Sequence, residues 1–228
     1  MMNWMPQRCW RRVGLVAALV LLSSCSILPK KTVEVYQLPP SSITIATAPD
    51  RLPLTLHIAK ADSSRVTDSQ RVVILNKDNH VSAYKSVRWS DPPPVLLRNQ
   101  IASAFRADGR LSLVSDYNPT LARDLELSGD LGAFHVEYAD GKPVVVIRFY
   151  AVLAHPGLKR SISARGFESR QPVKGKGMPE VVAAFGKGAD DVAREIIEWT
   201  IQHGSAIQAG ENEMPASAGR MNPPAEKP

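Results

Sequence analysis

The sequence predicts an α/β protein, a single compact domain in which helices pack on a mixed β-sheet. Segments that alternate apolar and polar side chains recur along the chain, as half-buried strands do. Residues 92–108 and 179–203 instead place their apolar side chains three and four positions apart, as amphipathic helices do. Strands combined with one helix in mid-chain and one near the end favour a fold built from layers of sheet and helix.

The alternating segments define the predicted strands and the turns between them. The strands are expected at 32–38, 52–59, 71–75, 80–84, 111–115, 125–138, 144–154 and 161–171. Residues 76–79 separate two of them and predict a hairpin turn. The dipeptide Asp140-Gly141 is the strongest turn signal in the chain, because both residues tolerate a left-handed backbone.

Two of these strands have additional features. Within 125–138 the apolar side chains change parity, which predicts a β-bulge at Gly129 or Gly132. Segment 144–154 is apolar on both faces, a pattern typical of a central strand that is covered on both sides.

Capping residues predict where the helices begin and end. Asp91 is expected to cap a helix that starts at Pro92, and Gly109 follows its last turn. Pro179 is expected to open the second helix, which would run to about His203. Its outer, solvated face is expected to carry charged residues four apart: Asp190, Arg194 and Glu198.

The amino terminus has the segments of a bacterial lipoprotein signal. Arginines precede an apolar stretch at 13–22, which is long enough for a signal peptide and too short to span a bilayer. Residues 22–25 resemble a lipobox, with cleavage between Ser24 and Cys25 and lipid attachment to the Cys25 thiol. An uncleaved anchor or a chance cysteine is the alternative. Ser26 in place of Asp favours the outer membrane, facing the periplasm, over the inner membrane.

These signals divide the chain into four parts. Residues 1–24 are the predicted signal peptide, 25–31 a lipidated tether, 32–204 the folded domain and 205–228 a disordered tail rich in Gly, Ala, Pro and Glu. Cys9 leaves with the signal, so the mature protein contains no disulfide.

Composition argues against several functions. The net charge of +6 includes three arginines of the signal peptide and falls to +3 without them, which is too weak a field for a nucleic-acid partner. No histidines are found at metal-ligand spacing, and neither a phosphate-binding loop nor a nucleophile elbow is present. We therefore expect no catalytic residues, no metal and no cofactor, and no enzyme.

A few side chains are candidates for contacts with a partner. Lys174 and Lys176 could touch anionic lipid headgroups, although a solvated loop is the simpler interpretation. Trp89 could anchor a partner, but packing at the start of the helix is favoured. Tyr36 and Leu38 could pair with the sheet edge of a neighbouring subunit, whereas pairing within the domain is simpler.

Several short stretches, in this order and spacing, resemble the ABC-type transport auxiliary lipoproteins. The stretches are the lipobox, 36–38, 87–92 with Leu96 and Leu97, 127–131, Phe134, 136–138, 144–146, Phe167, 172–173 and 181–185. The resemblance covers the lipobox and residues 33–202, and only Cys25 carries over as a family site.

The resemblance implies a fold and a role. The fold would be similar to the N-terminal domain of the Tol-system propeller protein. The role would be that of a non-enzymatic lipoprotein, attached through acyl chains that include palmitate. It would dock a mammalian-cell-entry-type protein of a lipid transporter whose ATPase and permease lie in the inner membrane, with a homo-oligomeric ring as one arrangement. A lipid- or solute-binding lipoprotein with a pocket between sheet and helices, and an envelope-assembly factor, remain as alternatives.

Overall fold

Nine strands form one mixed sheet with two helices packed against it, in the part of the chain that the computed structural model describes: residues 32–44, 51–116 and 123–213. The chain divides into units Met1–Thr32 and Val33–Pro228, and the fold described here belongs to the second. The predicted signal peptide, Ser24, Cys25 and the tether lie outside the described residues. The predicted fold class is confirmed.

Of the nine strands in the described residues, eight coincide with predicted segments, although the strand predicted at 80–84 extends to Trp89, and the two-residue strand Asp62–Ser63 was not predicted. The strands are β1 Glu34–Tyr36, β2 Leu52–Ile58, β3 Asp62–Ser63, β4 Arg71–Leu75, β5 Val81–Trp89, β6 Leu111–Ser115, β7 Leu125–Ala139, β8 Lys142–His155 and β9 Arg160–Pro172. The helices are α1 Pro93–Asp108 and α2 Met178–Glu213, and a short 3₁₀ turn, Pro156–Leu158, joins β8 to β9.

Strand β7 organises the sheet. On one edge it pairs in parallel with β2, β3 and β4 in succession, and on the other it pairs antiparallel with β8 along almost its whole length. Strands β6 and β2 extend one arm, β4, β5 and β1 extend a second, and β9 lies beyond β8. Segment 144–154 is thus a central strand, as predicted.

Two glycines let β7 make these pairings. The β7–β8 register shifts between Leu131 and Ala133, which confirms the bulge at Gly132. At Gly129 the backbones approach so closely that a Cβ atom would lie 2.1 Å from the carbonyl oxygen of Tyr150. The φ angle of Gly129 is 156°, outside the range that side chains favour.

The turns and the first helix confirm most of the capping predictions. Asp140 and Gly141 have φ angles of 49° and 74°, the left-handed pair expected of a tight hairpin. Gly109, with a φ of 77°, closes α1 as predicted. The predicted N-cap is wrong by one residue, because Pro92 occupies the cap and Asp91 accepts a hydrogen bond from the Ser90 hydroxyl.

Helix α2 is longer than the sequence predicts. It continues past His203 to Glu213, so residues 205–213 are helical rather than part of a tail. Ile207 is partly buried against the core, which extends the apolar face beyond Gly204. Residues 214–228 lie outside the described residues.

An aromatic cluster joins the sheet to α2. Trp89 is fully buried and lies edge-on to Phe134 of β7 and Phe185 of α2, at centroid distances of 5.8 and 5.1 Å. The rings of Phe134 and Phe185 stack at 4.6 Å. Each such pair adds about 0.5–1.5 kcal/mol beyond the burial of its area. The space between this part of the sheet and α2 is therefore filled by side chains.

We expect Gly129→Ala to lower the free energy of unfolding by more than about 2 kcal/mol, because the new methyl group would overlap the Tyr150 carbonyl. Gly166→Ala is the matched control in β9, since a Cβ there meets no atom within 4 Å, and it should change stability by less than about 1 kcal/mol. Urea unfolding of both variants measures the difference. Equal losses of stability in the two variants would show that the close approach of β7 and β8 does not exclude a side chain at residue 129.

Candidate docking surface

The structure separates the residues that were predicted to contact a partner. Tyr36 lies on β1, at one edge of the sheet, and is half-buried. Lys174 and Lys176 are exposed in the loop between β9 and α2, as the solvated-loop interpretation expects. Trp89 is 0% exposed, so the packing interpretation is correct and this side chain is not available to a partner.

Strand β1 presents a free edge and two exposed valines. Within the described residues it pairs only with β5, in parallel, so its other edge has no neighbouring strand. Val33 and Val35 are 53% and 51% exposed. An unpaired edge with apolar side chains is a template for pairing with another chain.

Tyr36 anchors β1 to the domain. Its backbone carbonyl accepts a hydrogen bond from the Ser90 amide at 2.8 Å, and its ring packs partly against the core. Its hydroxyl donates to Glu34 Oε2 at 2.6 Å, which raises the pKa of Tyr36 above its ordinary value. Pairing within the domain, the simpler of the two interpretations, accounts for the contacts of Tyr36.

A buried carboxylate holds the segment after β1 against both helices. Asp190 of α2 is only 5% exposed and accepts hydrogen bonds from the Ser41 and Ser42 hydroxyls at 2.8 and 2.7 Å. It also accepts from the Ser42 amide at 2.7 Å and from Gln100 Nε2 of α1 at 2.8 Å. The predicted outer-face position of Asp190 is therefore wrong.

The other outer-face predictions for α2 differ in outcome. Arg194 is exposed as expected, but it pairs with Asp191 at 3.2 Å rather than with Asp190. Glu198 is exposed and pairs with Arg110, which follows α1. Gly186 lies under the same segment, because a Cβ there would come within 2.8 Å of Pro39.

The hydrogen bonds to Asp190 set its ionisation. Burial alone would raise the pKa of this carboxyl, but the bonds from Ser42, Ser41 and Gln100 outweigh burial and hold the pKa below its usual range. The stabilisation is therefore complete above the ordinary aspartate pKa of about 3.9 and is lost as the pH falls through the lower folded-state value.

We expect Asp190→Asn to lower the free energy of unfolding by about 2–4 kcal/mol at pH 7, because an amide cannot accept all four bonds and its NH₂ group meets other donors. The difference in the free energy of unfolding between wild type and Asp190→Asn should become smaller below about pH 4. Asp68→Asn, at an exposed carboxylate that pairs with Lys60 at 3.1 Å, is the control and should cost about 1 kcal/mol or less. Denaturant titrations across pH test this, and a gap that widens in acid would contradict it.

A cleft opens between the end of the sheet and the start of α2. It measures about 430 Å³ and is open to solvent. Its walls come from β5, from the β7–β8 hairpin and from the loop before α2: Tyr84, Lys85, Val87, Tyr138, Pro143, Val173, Gly175, Lys176, Gly177, Met178 and Val181. Burial, and then a hydrogen bond with Tyr138, raise the pKa of Tyr84 well above its ordinary value. The Tyr84 phenol is therefore neutral at physiological pH.

Several charged side chains on one face of β7, β8 and β9 form ion pairs. Arg148 bonds Glu168 at 2.6 Å, and Arg170 bonds both Glu168 and Glu137. Glu137 also bonds His135 at 3.0 Å. These pairs span β7, β8 and β9 over the buried Val146. The charges of these side chains are therefore balanced by one another.

Nothing in the described ranges gathers a metal-binding set, since no three His, Cys, Asp or Glu side chains there could hold an ion. Across the same ranges no helix is both long and apolar enough to traverse a bilayer. The candidate site is therefore a surface. It consists of the free edge of β1 and of the cleft lined in part by the neighbouring strand β5.

The sequence matches the family of ABC-type transport auxiliary lipoprotein components over residues 36–197. The chain belongs to this family. Its fold is therefore that of a lipoprotein component of an ABC-type transport system, and the family name suggests a non-enzymatic role in the cell envelope. No curated protein matches the sequence.

Solved structures share the fold of this auxiliary lipoprotein. The crystal structure of protein XCC0632 from Xanthomonas campestris, of the family DUF330, is 24% identical, with a TM-score of 0.70, and the match covers 77% of this chain and 99% of that one. A crystal structure of an uncharacterized protein is 21% identical with a TM-score of 0.59, over 74% and 98% of the two chains. The likeness to the Tol-system domain stays a prediction.

Proposed function

We propose that this auxiliary lipoprotein is a non-enzymatic docking component of a lipid transport system linked to mammalian-cell-entry proteins. It is anchored through acylated Cys25 in the outer membrane and faces the periplasm. There it holds the far end of the conduit formed by the mammalian-cell-entry protein, whose ATPase and permease lie in the inner membrane. Membership of the auxiliary family is the observation that carries this proposal.

The β1 edge is the surface that we assign to docking. It is unpaired within the described residues and exposes Val33 and Val35. It also follows directly after the proposed tether, so a partner bound there is held near the anchoring membrane. Hydrogen bonds from Ser42 to Asp190 fix the segment that follows β1 in the chain. The strand therefore presents its free edge in one orientation.

A carrier pocket between sheet and helices has less support. The aromatic cluster of Trp89, Phe134 and Phe185 fills that space, whereas an enclosed apolar cavity would favour a lipid carrier. A solid core with an exposed sheet edge favours an adaptor. Homo-oligomers of soluble proteins mostly have closed symmetry, and a ring around the conduit is the form that we propose.

We expect Val35→Lys to weaken binding to the partner at least tenfold, because a lysine on a sheet edge opposes pairing with another chain. The partner is the periplasmic domain of the neighbouring mammalian-cell-entry protein, and the soluble chain 26–228 is the ligand in a pull-down and titration. Leu158→Lys is the matched control, since Leu158 and Val35 are both 51% exposed and Leu158 lies in the turn between β8 and β9. The Leu158→Lys variant should bind the partner with the affinity of the wild-type chain.

Two results would overturn this assignment. Absence of binding by the wild-type chain at tens of micromolar would remove the docking function itself. Equal loss of affinity in both lysine variants would show that the β1 edge is not the docking surface.

A further inference from the structure

The cleft beside β5 combines apolar walls with two lysines that form no ion pair within the described residues. Val87, Val173, Met178 and Val181 supply the apolar wall. Lys85 and Lys176 lie at its surface, and neither forms an ion pair within the described residues. No carboxylate is among the described residues that line this cleft, although the Glu180 side chain lies directly behind Gly175 and Gly177 of its wall. An acidic group that entered the cleft would therefore meet two ammonium groups at its surface, with one carboxylate behind the loop.

The two tyrosines add a hydrogen-bond donor. The side chains of Tyr84 and Tyr138 lie close to one another at the cleft, and each phenol can both donate and accept a hydrogen bond. A phenol proton can therefore be donated to an oxygen atom in the cleft. Tyr138 is 39% exposed, so its side of the pair is open to a ligand. Cations, a phenol donor and apolar walls together match an oxygen-rich anionic head attached to a hydrocarbon chain.

The loop that carries Lys176 separates this cleft from a second one. Lys174 lies on the far side and lines a cleft of about 370 Å³ together with Glu180 and Lys187. Glu180 is among the described residues that line the second cleft and is not among those that line the first. The two lysines of one short loop therefore face different surroundings, and Lys174 serves as an internal reference for Lys176.

The cleft also lies near the start of β1. Val87, which lines it, pairs with Glu34 in the parallel β1–β5 ladder. Residues 25–33 can extend at most about 30 Å at 3.3–3.6 Å per residue. If Cys25 carries the proposed anchor, the cleft lies within reach of the headgroups of the same bilayer. Only this estimate of reach depends on the proposed function, because it assumes that Cys25 is anchored in the membrane.

We propose that the cleft of Tyr84, Lys85, Tyr138 and Lys176 binds the phosphate-bearing head of an anionic phospholipid. The head lies between the two ammonium groups and the exposed Tyr138 phenol, and the first part of an acyl chain lies against Val87, Val173 and Met178. The volume of about 430 Å³ fits a head and a short length of chain rather than a whole lipid, and the open mouth leaves the remainder in its membrane.

Short-chain lipids below their micellar concentration test this site in solution. The soluble chain 26–228, which contains the whole described core, is titrated with dihexanoyl phosphatidylglycerol, dihexanoyl phosphatidylcholine and inorganic phosphate by calorimetry. We expect the anionic lipid to bind at least tenfold more tightly than the zwitterionic one, and phosphate alone to bind more weakly than either. The Lys85→Gln/Lys176→Gln variant should lose about thirtyfold in affinity for the anionic lipid.

The control is Lys174→Gln, which removes the same charge from the same loop and should change affinity less than twofold. All the substituted lysines are exposed, and unchanged melting temperatures will show that the variants fold. Equal affinity for the two lipids, or equal loss in the Lys174 variant, would overturn the assignment. So would tighter binding of a hexaglutamate peptide, which would indicate an acidic protein segment instead. The anchor takes no part in this test, so its failure leaves the docking proposal standing.

Discussion

One strand, β7, keeps the nine strands in a single sheet, because β2, β3 and β4 bond to one of its edges and β8 bonds to the other. This arrangement requires a backbone approach at Gly129 that no side chain could enter and a bulge at Gly132 that turns the second half of the strand. Phe134 then faces α2 and completes the aromatic cluster. Strand β1 is connected to β7 through β5 and β4. The position of the proposed docking edge therefore depends on β7.

Local signals were sufficient to predict most elements of the fold, whereas the pairing of strands was not. Alternation, left-handed turn residues and glycine caps act over a few residues, so they located the hairpins, the bulge and the end of α1. The parallel pairing of β7 with three separate strands depends on contacts far apart in sequence, which no local pattern encodes. The end of α2 was misplaced because Gly204 resembles a stop signal, although its small size instead allows close packing against Leu54.

The candidate site was only partly predictable for a similar reason. Helical spacing placed Asp190 with charged residues on an outer face, and nothing local reveals that Ser41 and Ser42 reach it across the fold. Lysines in a glycine-rich loop stood out in sequence, but their division between two different clefts needs the packing of the loop. Tyr84 was missed entirely, since a lone tyrosine in a strand is ordinary until Tyr138 is found beside it.

The proposed adaptor is held on a membrane through one modified residue. The most direct test of this anchor is mass spectrometry of the amino-terminal peptide of the protein isolated from its own membranes. We expect a mature chain that begins at Cys25 and carries acyl groups on that residue. A chain that retains residues 1–24 with an unmodified Cys25 thiol would contradict the proposed anchor.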